Sequence, residues 1–221
     1  MISIAIDGPA GAGKSTIAKA VAKAMSYIYV DTGALYRSIA LNAMLNSVDT
    51  DNADDIKAML ENTNVELKFI NGEQRVFLNN EDVSDKIRTT EVSMMASKVS
   101  AVPAVREFLL ELQRSIARAN NVLMDGRDIG TVVLPDAQVK IFLTASAECR
   151  AKRRYDDYVK MGIDEDYDKI LADIVKRDYD DSHRAIAPLK PAEGSVTVDT
   201  SDDTLQQSID RIVEIINNTV N

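Results

Sequence analysis

The nine residues from Gly8 to Thr16, Gly-Pro-Ala-Gly-Ala-Gly-Lys-Ser-Thr, constrain this chain more than any other stretch. They fit G-x-x-x-x-G-K-[ST], a pattern in which backbone N–H groups of a glycine-rich turn surround the phosphates of a nucleoside triphosphate. Gly8, Pro9, Ala10, Gly11, Ala12, Gly13 and Thr16 form the cradle. Lys14 is the group that reaches the β- and γ-phosphates, and the Ser15 hydroxyl is a ligand for Mg²⁺. Glycine suits such a turn because a Cβ obstructs both positive φ and close approach of the backbone to a ligand. The flanks supply the required context. Ile2 to Asp7 is an apolar run suited to a buried parallel strand, and Ile17, Ala18, Val21, Ala22 and Met25 share one face of a helix over 14–25.

The chain has 221 residues, 45% of them apolar, enough for a single P-loop domain over 1–221 carrying insertions. No apolar run reaches the length of a membrane span, and the first residues enter a strand without a charged leader, so a cytoplasmic protein that makes no membrane contact is expected. The lone Cys149 agrees with a reducing compartment and reads as packing. Net charge is −9 and the pI about 4.7, which leaves no basic footprint for nucleic acid. A few arginines can still converge on a small phosphorylated ligand.

Past the first helix, the pattern predicts a strand over 27–30 closed by Asp31-Thr32-Gly33, then a helix from Ala34 to about Leu45. Thr32 and Arg37 thereby fall near the carboxyl end of a strand, where ligands of open α/β sheets sit. A short helix to about Leu60 precedes two alternating segments, 65–69 and 75–78, joined by a turn containing Asn71-Gly72, a hairpin signature. Residues 60–90 thus read as an inserted antiparallel subdomain. Helical patterning runs from about Glu91 past Pro103, a residue that fits the first turn of a new helix. Val105, Phe108, Leu109, Leu112 and Ile116 then form an apolar stripe that Arg106 lies off.

Val122 to Asp125 is a third core strand, leading into Gly126-Arg-Asp-Ile-Gly130; Asp125 and Asp128 are both candidates for a carboxylate beside the metal. After a strand over 139–143, Arg150, Arg153 and Arg154 recur at helical spacing on one face, and Arg177, Asp181 and Arg184 repeat a similar spacing in a second arm. With a polar tip at 160–166, these arms over 150–185 have the look of a lid. His183, without companions, reads as a surface residue. A strand over 195–199 and an amphipathic helix over 204–217 close the chain. The alternation implies an α/β fold, a doubly wound parallel sheet of about five strands with helices on both faces, a small antiparallel β insert and a helical lid.

Phosphoryl transfer depends on positioning and on neutralising charge over the transferring oxygens. A hydroxyl acceptor benefits from a nearby carboxylate, whereas a phosphate acceptor is already ionised and needs arginines, whose fork matches phosphate and keeps its charge. Arg37, Arg106, Arg127, Arg153, Arg177 and Arg184 favour the phosphate acceptor. A GTPase switch is disfavoured, since neither D-x-x-G nor N-K-x-D occurs. The competing kinase reading is a small hydroxyl metabolite as acceptor, in the manner of shikimate kinase, with Asp128 or Asp31 beside it.

Residues 6–16, Asp31-Thr-Gly-Ala-Leu-Tyr-Arg37, Val83-Ser-Asp-Lys-Ile-Arg88, 97–106, Asp125-Gly-Arg-Asp-Ile-Gly-Thr131 and Arg184-Ala-Ile-Ala-Pro-Leu189 together resemble the bacterial cytidylate kinases of the nucleoside monophosphate kinase family, from end to end. Ser15 and Thr32 stand where other members can carry Gly and Ser. The resemblance implies transfer of the ATP γ-phosphate to CMP or dCMP with Mg²⁺, by a monomer whose 60–90 insert binds the monophosphate. It implies that Thr32, Arg37, Ser97, Arg106, Arg127, Asp128 and Arg184 line the CMP site. Arg37 and Arg127 would face the acceptor phosphate, with Ser97, Arg106 and Asp128 at the polar edge of cytosine. Arg177 and Asp181 would hold the sugar, and Arg153 and Arg154 would close on the ATP phosphates. Lys14, Arg127, Arg153 and Arg184 are the expected catalytic groups.

Overall fold

The computed structural model describes residues 1–71 and 73–220. In chain order the elements are β1 (Ser3–Asp7), α1 (Lys14–Met25), β2 (Ile28–Asp31), α2 (Thr32–Leu45), α3 (Ala53–Glu61), β3 (Val65–Ile70), β4 (Glu73–Leu78), β5 (Glu81–Asp82), a 3₁₀ turn (Lys86–Arg88), α4 (Thr90–Val99), α5 (Pro103–Ala119), β6 (Val122–Gly126), a π-helical turn (Ile129–Val133), β7 (Val139–Thr144), α6 (Ala147–Met161), α7 (Tyr167–His183), β8 (Val196–Asp199) and α8 (Leu205–Val220). A five-stranded sheet has the order β2-β6-β1-β7-β8, and β3, β4 and β5 form a second sheet.

Contacts gather the chain into two compact units, 1–29 with 120–221, and 30–119. In the first, β1 runs parallel to β6 and β7, and β7 parallel to β8. Ile4 and Ile6 are wholly buried with Leu123, Ile141 and Leu143, against Ile17, Val21, Ile212 and Ile216 of α1 and α8. A central parallel strand is covered on both sides, and its uninterrupted apolar run reflects that. α6 and α7 pack as a pair through Ala151, Ile170 and Ile174, with the Tyr155 and Tyr167 rings edge to face at 6.1 Å. Cys149 is half-buried, its Sγ 3.4 Å from the Ser201 carbonyl. His183 is exposed and stacks on the Tyr179 ring at 4.0 Å.

In the second unit, β3 and β4 pair antiparallel from Val65–Leu78 to Ile70–Glu73, as the alternation predicts. Of the turn between them, Asn71 takes φ of 54°, while Gly72 lies outside the described residues. Two details escape the pattern. β5 adds a third strand through only Glu81 and Asp82. Val65, Val76, Leu78, Val83 and Ile87 are buried in one core with Leu35, Ile39, Val99, Val105 and Leu109, so this stretch helps build the core that α2, α4 and α5 share. The helical run from Glu91 breaks at 100–102, and α5 begins at Pro103, whose missing N–H costs nothing in a first turn. α2 begins two residues earlier than Ala34, because the Asp31 carboxylate accepts a hydrogen bond from the Ala34 N–H at 3.0 Å and caps it.

Candidate active site

The P-loop leaves β1 at Asp7 and enters α1 at Lys14. Gly8 is where the turn passes closest to the sheet: a Cβ there would lie 1.9 Å from the Leu143 carbonyl oxygen. Lys14 is buried, and its ammonium donates to the Pro9 carbonyl at 2.7 Å across the mouth of the loop. Burial, with the Arg127 guanidinium nearby, pulls Lys14 well below the ordinary lysine value, while Asp125, Asp7 and Asp181 act in the opposite sense.

Two carboxylates at neighbouring strand ends each brace a loop, Asp125 the P-loop exit and Asp7 the loop after β6. Asp125, at the end of β6, accepts a hydrogen bond from the Ser15 hydroxyl at 2.9 Å through one oxygen and from the Tyr29 hydroxyl at 2.9 Å through the other. The pattern alone leaves Asp125 and Asp128 equivalent; the fold sets Asp125 on Ser15. Asp7, which the sequence shows only as the end of a strand, is buried and accepts from the Ile129 N–H and the Gly130 N–H, each at 2.7 Å. Burial pushes its carboxyl up to about 6 against the pull of those two amides. An ionisable residue closing an apolar strand was the available signal.

The loop fixed by Asp7 bears Arg127 and Asp128. Arg127 donates from Nε to Asp181 at 2.9 Å and from Nη1 to the Gly126 carbonyl at 3.3 Å. The Arg184 guanidinium stands 3.7 Å from the buried Asp128 carboxylate, and its Nε donates to the Ala187 carbonyl at 2.6 Å. Arg177 lies on α7, one turn before Asp181. The structure thus brings Arg127, Asp128, Asp181 and Arg184 together in two ion pairs.

The three arginines of α6 do not act alike. Arg150 is buried and ion-paired with Asp178. Arg153 donates to the Thr200 carbonyl at 2.7 Å and passes within 3.9 Å of the position a Cβ on Gly13 would take, beside the P-loop. Arg154 is exposed and bonded to the Tyr158 hydroxyl. Spacings of three and four leave Arg150 and Arg154 on different neighbours, since 3.6 residues per turn rotates them by some 40°.

Within 30–119, Arg37 donates to the Asp31 carboxylate at 2.8 Å, and Thr32 is buried at the start of α2. Gln74 of β4 grips the Asp31 backbone on both sides: its side-chain oxygen accepts from the Asp31 N–H at 2.9 Å, and its amide donates to the Asp31 carbonyl at 3.3 Å. Arg106, which helical periodicity sets off the apolar stripe, is in fact 9% exposed. Its Nη1 donates to the Ser100 carbonyl at 3.2 Å, and its guanidinium sits 5.7 Å from the centre of the Tyr36 ring. A planar cation can be buried on an aromatic face, an option that a polar-versus-apolar pattern does not register. Ser97 is half-buried on α4, and its carbonyl accepts from the Ser100 hydroxyl at 2.9 Å.

Among the described residues, no cluster of three or more His, Cys, Asp or Glu side chains could hold a metal by itself. No helix among them is long and apolar enough to cross a membrane. A buried lysine inside a glycine loop, with a hydroxyl and a carboxylate at its exit, is chemistry for handling the terminal phosphates of a nucleotide, and it makes this chain a P-loop nucleotide-binding protein. The acceptor narrows with the comparisons. The cytidylate kinase family model matches residues 4–218, and the chain belongs to that family. It is 47% identical to the cytidylate kinase of Caldicellulosiruptor saccharolyticus over 97% of this chain and 95% of that one. With the cytidylate kinase of Lactobacillus johnsonii it shares 49% identity over 98% and 94% of the two chains. Among solved structures, a shikimate kinase from Bacteroides thetaiotaomicron superposes with a TM-score of 0.48 at 13% identity, covering 98% of each chain.

Proposed function

We propose that this chain transfers the γ-phosphoryl group of ATP to CMP or dCMP, giving ADP and CDP or dCDP. Its full-length similarity to proteins named cytidylate kinase carries the reading. The arginine-rich chemistry supports it. An oxygen of the acceptor monophosphate forms the new bond to the γ-phosphorus as the bond to the β–γ bridging oxygen breaks, and ADP leaves. That nucleophile is already ionised near neutral pH, so the step asks for no general base. It asks for cations on two polyanions. Lys14 serves the β/γ-oxygens, Arg37 and Arg127 the acceptor phosphate, and Arg153 and Arg184 the charge that spreads during transfer.

Thr32, Ser97, Arg106 and Asp128 serve CMP, with Asp128 accepting from the exocyclic amine that uracil lacks. Arg177 and Asp181 serve the sugar, and the 60–90 stretch serves the monophosphate through Gln74 and Asp31. Mg²⁺ fits the oxygen donors at the loop exit: the Ser15 hydroxyl would hold it, with Asp125 bonded alongside. Bound there, the ion would supply positive charge that offsets the charge of the terminal phosphates. We read the protein as a cytoplasmic monomer acting on small nucleotides, with no nucleic-acid or membrane partner.

The test is ADP release from ATP and Mg²⁺ with CMP, dCMP, UMP, AMP or shikimate supplied singly. Activity confined to CMP and dCMP supports the reading. Activity with shikimate alone overturns it, and acceptor-independent hydrolysis replaces it with an ATPase.

A further inference from the structure

Arg150 is the residue that the phosphate chemistry leaves over. It is 4% exposed, on a helix facing the P-loop, yet its charge is already spent. Nη1 and Nη2 grip both oxygens of Asp178 on α7 at 2.9 and 2.5 Å. Nε donates to the Ala145 carbonyl at 2.9 Å, where β7 gives way to α6. Nη1 also donates to the Ala10 carbonyl at 3.0 Å, in the middle of the P-loop. The aliphatic stem then lies along the next residue, with Cβ, Cγ and Cδ 3.5 to 3.9 Å from the position a Cβ on Gly11 would take.

We infer that Arg150 is a positioning residue for ATP: by holding the Ala10 carbonyl it sets the orientation of the Ala10–Gly11 peptide and turns the Gly11 N–H toward the triphosphate. The argument is geometrical. Among the described residues every peptide is trans, and in a trans peptide the C=O and the following N–H point in opposite directions. A carbonyl drawn to Arg150 therefore aims the Gly11 N–H to the opposite side. Gly11 sits at φ of +76°, where glycine has no steric preference for this one peptide orientation over the flipped one. The loop itself supplies little bias, so an outside anchor decides. The planar guanidinium reaches the Ala10 and Ala145 carbonyls and Asp178 at once, a span that a lysine cannot reproduce.

This rests on ATP as the phosphate donor. The test is calorimetric titration of ATP with Mg²⁺ into the full chain, with steady-state KM for ATP and CMP alongside, for wild type, R150K and D178N. R150K keeps a positive charge but cannot span Ala10, Ala145 and Asp178 together. It is expected to raise the Kd for ATP about tenfold and to leave the KM for CMP within about twofold. D178N leaves both carbonyl bonds in place and is expected to cost less than about threefold in ATP affinity. A folded R150K with unchanged ATP affinity overturns the assignment, as does D178N that costs as much as R150K. One arm needs no variant: in ¹⁵N-labelled wild type, the Gly11 amide resonance must move on addition of ATP and Mg²⁺, and an unmoved resonance overturns the assignment even where R150K does not fold. Wild-type turnover with CMP reports on the acceptor separately. ATP binding that R150K weakens, without CMP turnover in wild type, sustains the role of Arg150 and rejects only the acceptor.

Discussion

Asp7 gives the most demanding quantitative prediction, because two large effects oppose each other at one buried carboxyl. Its oxygens accept two backbone amides, from Ile129 and Gly130, which favour the charged form. Burial outweighs them and carries the group from 3.8 to about 6. A carboxyl whose folded value lies above its unfolded value contributes stability that is complete below the unfolded value and is lost as pH rises through the folded one. A gap of about two pH units, at about 1.4 kcal/mol each, makes that loss about 3 kcal/mol in full. Asp7→Asn removes the titration and keeps the shape. The asparagine NH₂ cannot accept from the amide it faces, where the protonated acid still can, so the variant carries a fixed cost that does not change with pH. The two proteins part as pH rises from about 4 to about 6. The variant escapes burying a charge, and its stability relative to wild type should climb by about 2 kcal/mol between pH 4.5 and 7.5. Urea unfolding of both proteins at these pH values, read by circular dichroism, measures the difference and cancels the titrating groups that Asp7 does not act on. Stability curves that run parallel within about 0.5 kcal/mol would refute the reasoning.

Lys14→Ala should fold and lose about a hundredfold or more in turnover, since the ammonium acts on charge that develops during transfer; unchanged turnover removes Lys14 from the chemistry. Gly8→Ala drives a methyl into the Leu143 carbonyl, a backbone atom in mid-sheet, and should cost about 1–3 kcal/mol or more, seen as a Tm lower by some 4 °C or more in calorimetry. An unaltered Tm would mean that the turn can retreat from β7. Asp128→Ala should raise the KM for CMP well above any change for ATP, and a selective loss of ATP affinity contradicts its cytosine role. Gln74→Ala removes both clamps on the Asp31 backbone and should raise the KM for CMP several-fold with ATP unaffected; intact CMP affinity would leave Gln74 a purely structural residue.

How far each feature could be read from the sequence follows from whether its cause is local. α1 begins and ends at the residues the pattern assigns, because glycine turn, lysine and apolar face are contiguous and each rule points to the same boundary. Pro103 likewise marks the start of α5 by its own covalent structure. What could not be read depends on partners far along the chain. Asp125 and Asp128 are three residues apart and chemically identical, and partners far along the chain separate them: α1 delivers Ser15 to the first, and Arg184 stands beside the second. Arg150 looks like Arg153 and Arg154 until Ala10 and Asp178 come to it from 140 and 28 residues away. The π-helical turn at 129–133 has no composition signal either. It follows the two amides that Asp7 holds, from 122 and 123 residues upstream.

The arginines also answer how a chain of net charge −9 keeps cations ready for polyanions. Arg37, Arg127, Arg150 and Arg184 each stand against a carboxylate, of Asp31, Asp181, Asp178 and Asp128. An arginine held this way has given up much of its rotamer freedom before any ligand arrives, and the cost of fixing it is met in folding. The pairing also limits repulsion among cations, which is real here, since Arg127 already presses on Lys14. Exposure then sorts three of them. Arg37 and Arg127 remain 22% and 24% exposed, so a phosphate can reach the edge of the guanidinium that the carboxylate leaves open, whereas Arg150 at 4% has no such edge. An ion pair that still faces solvent can serve a ligand, and one closed over by its own helices can only hold the loop that does.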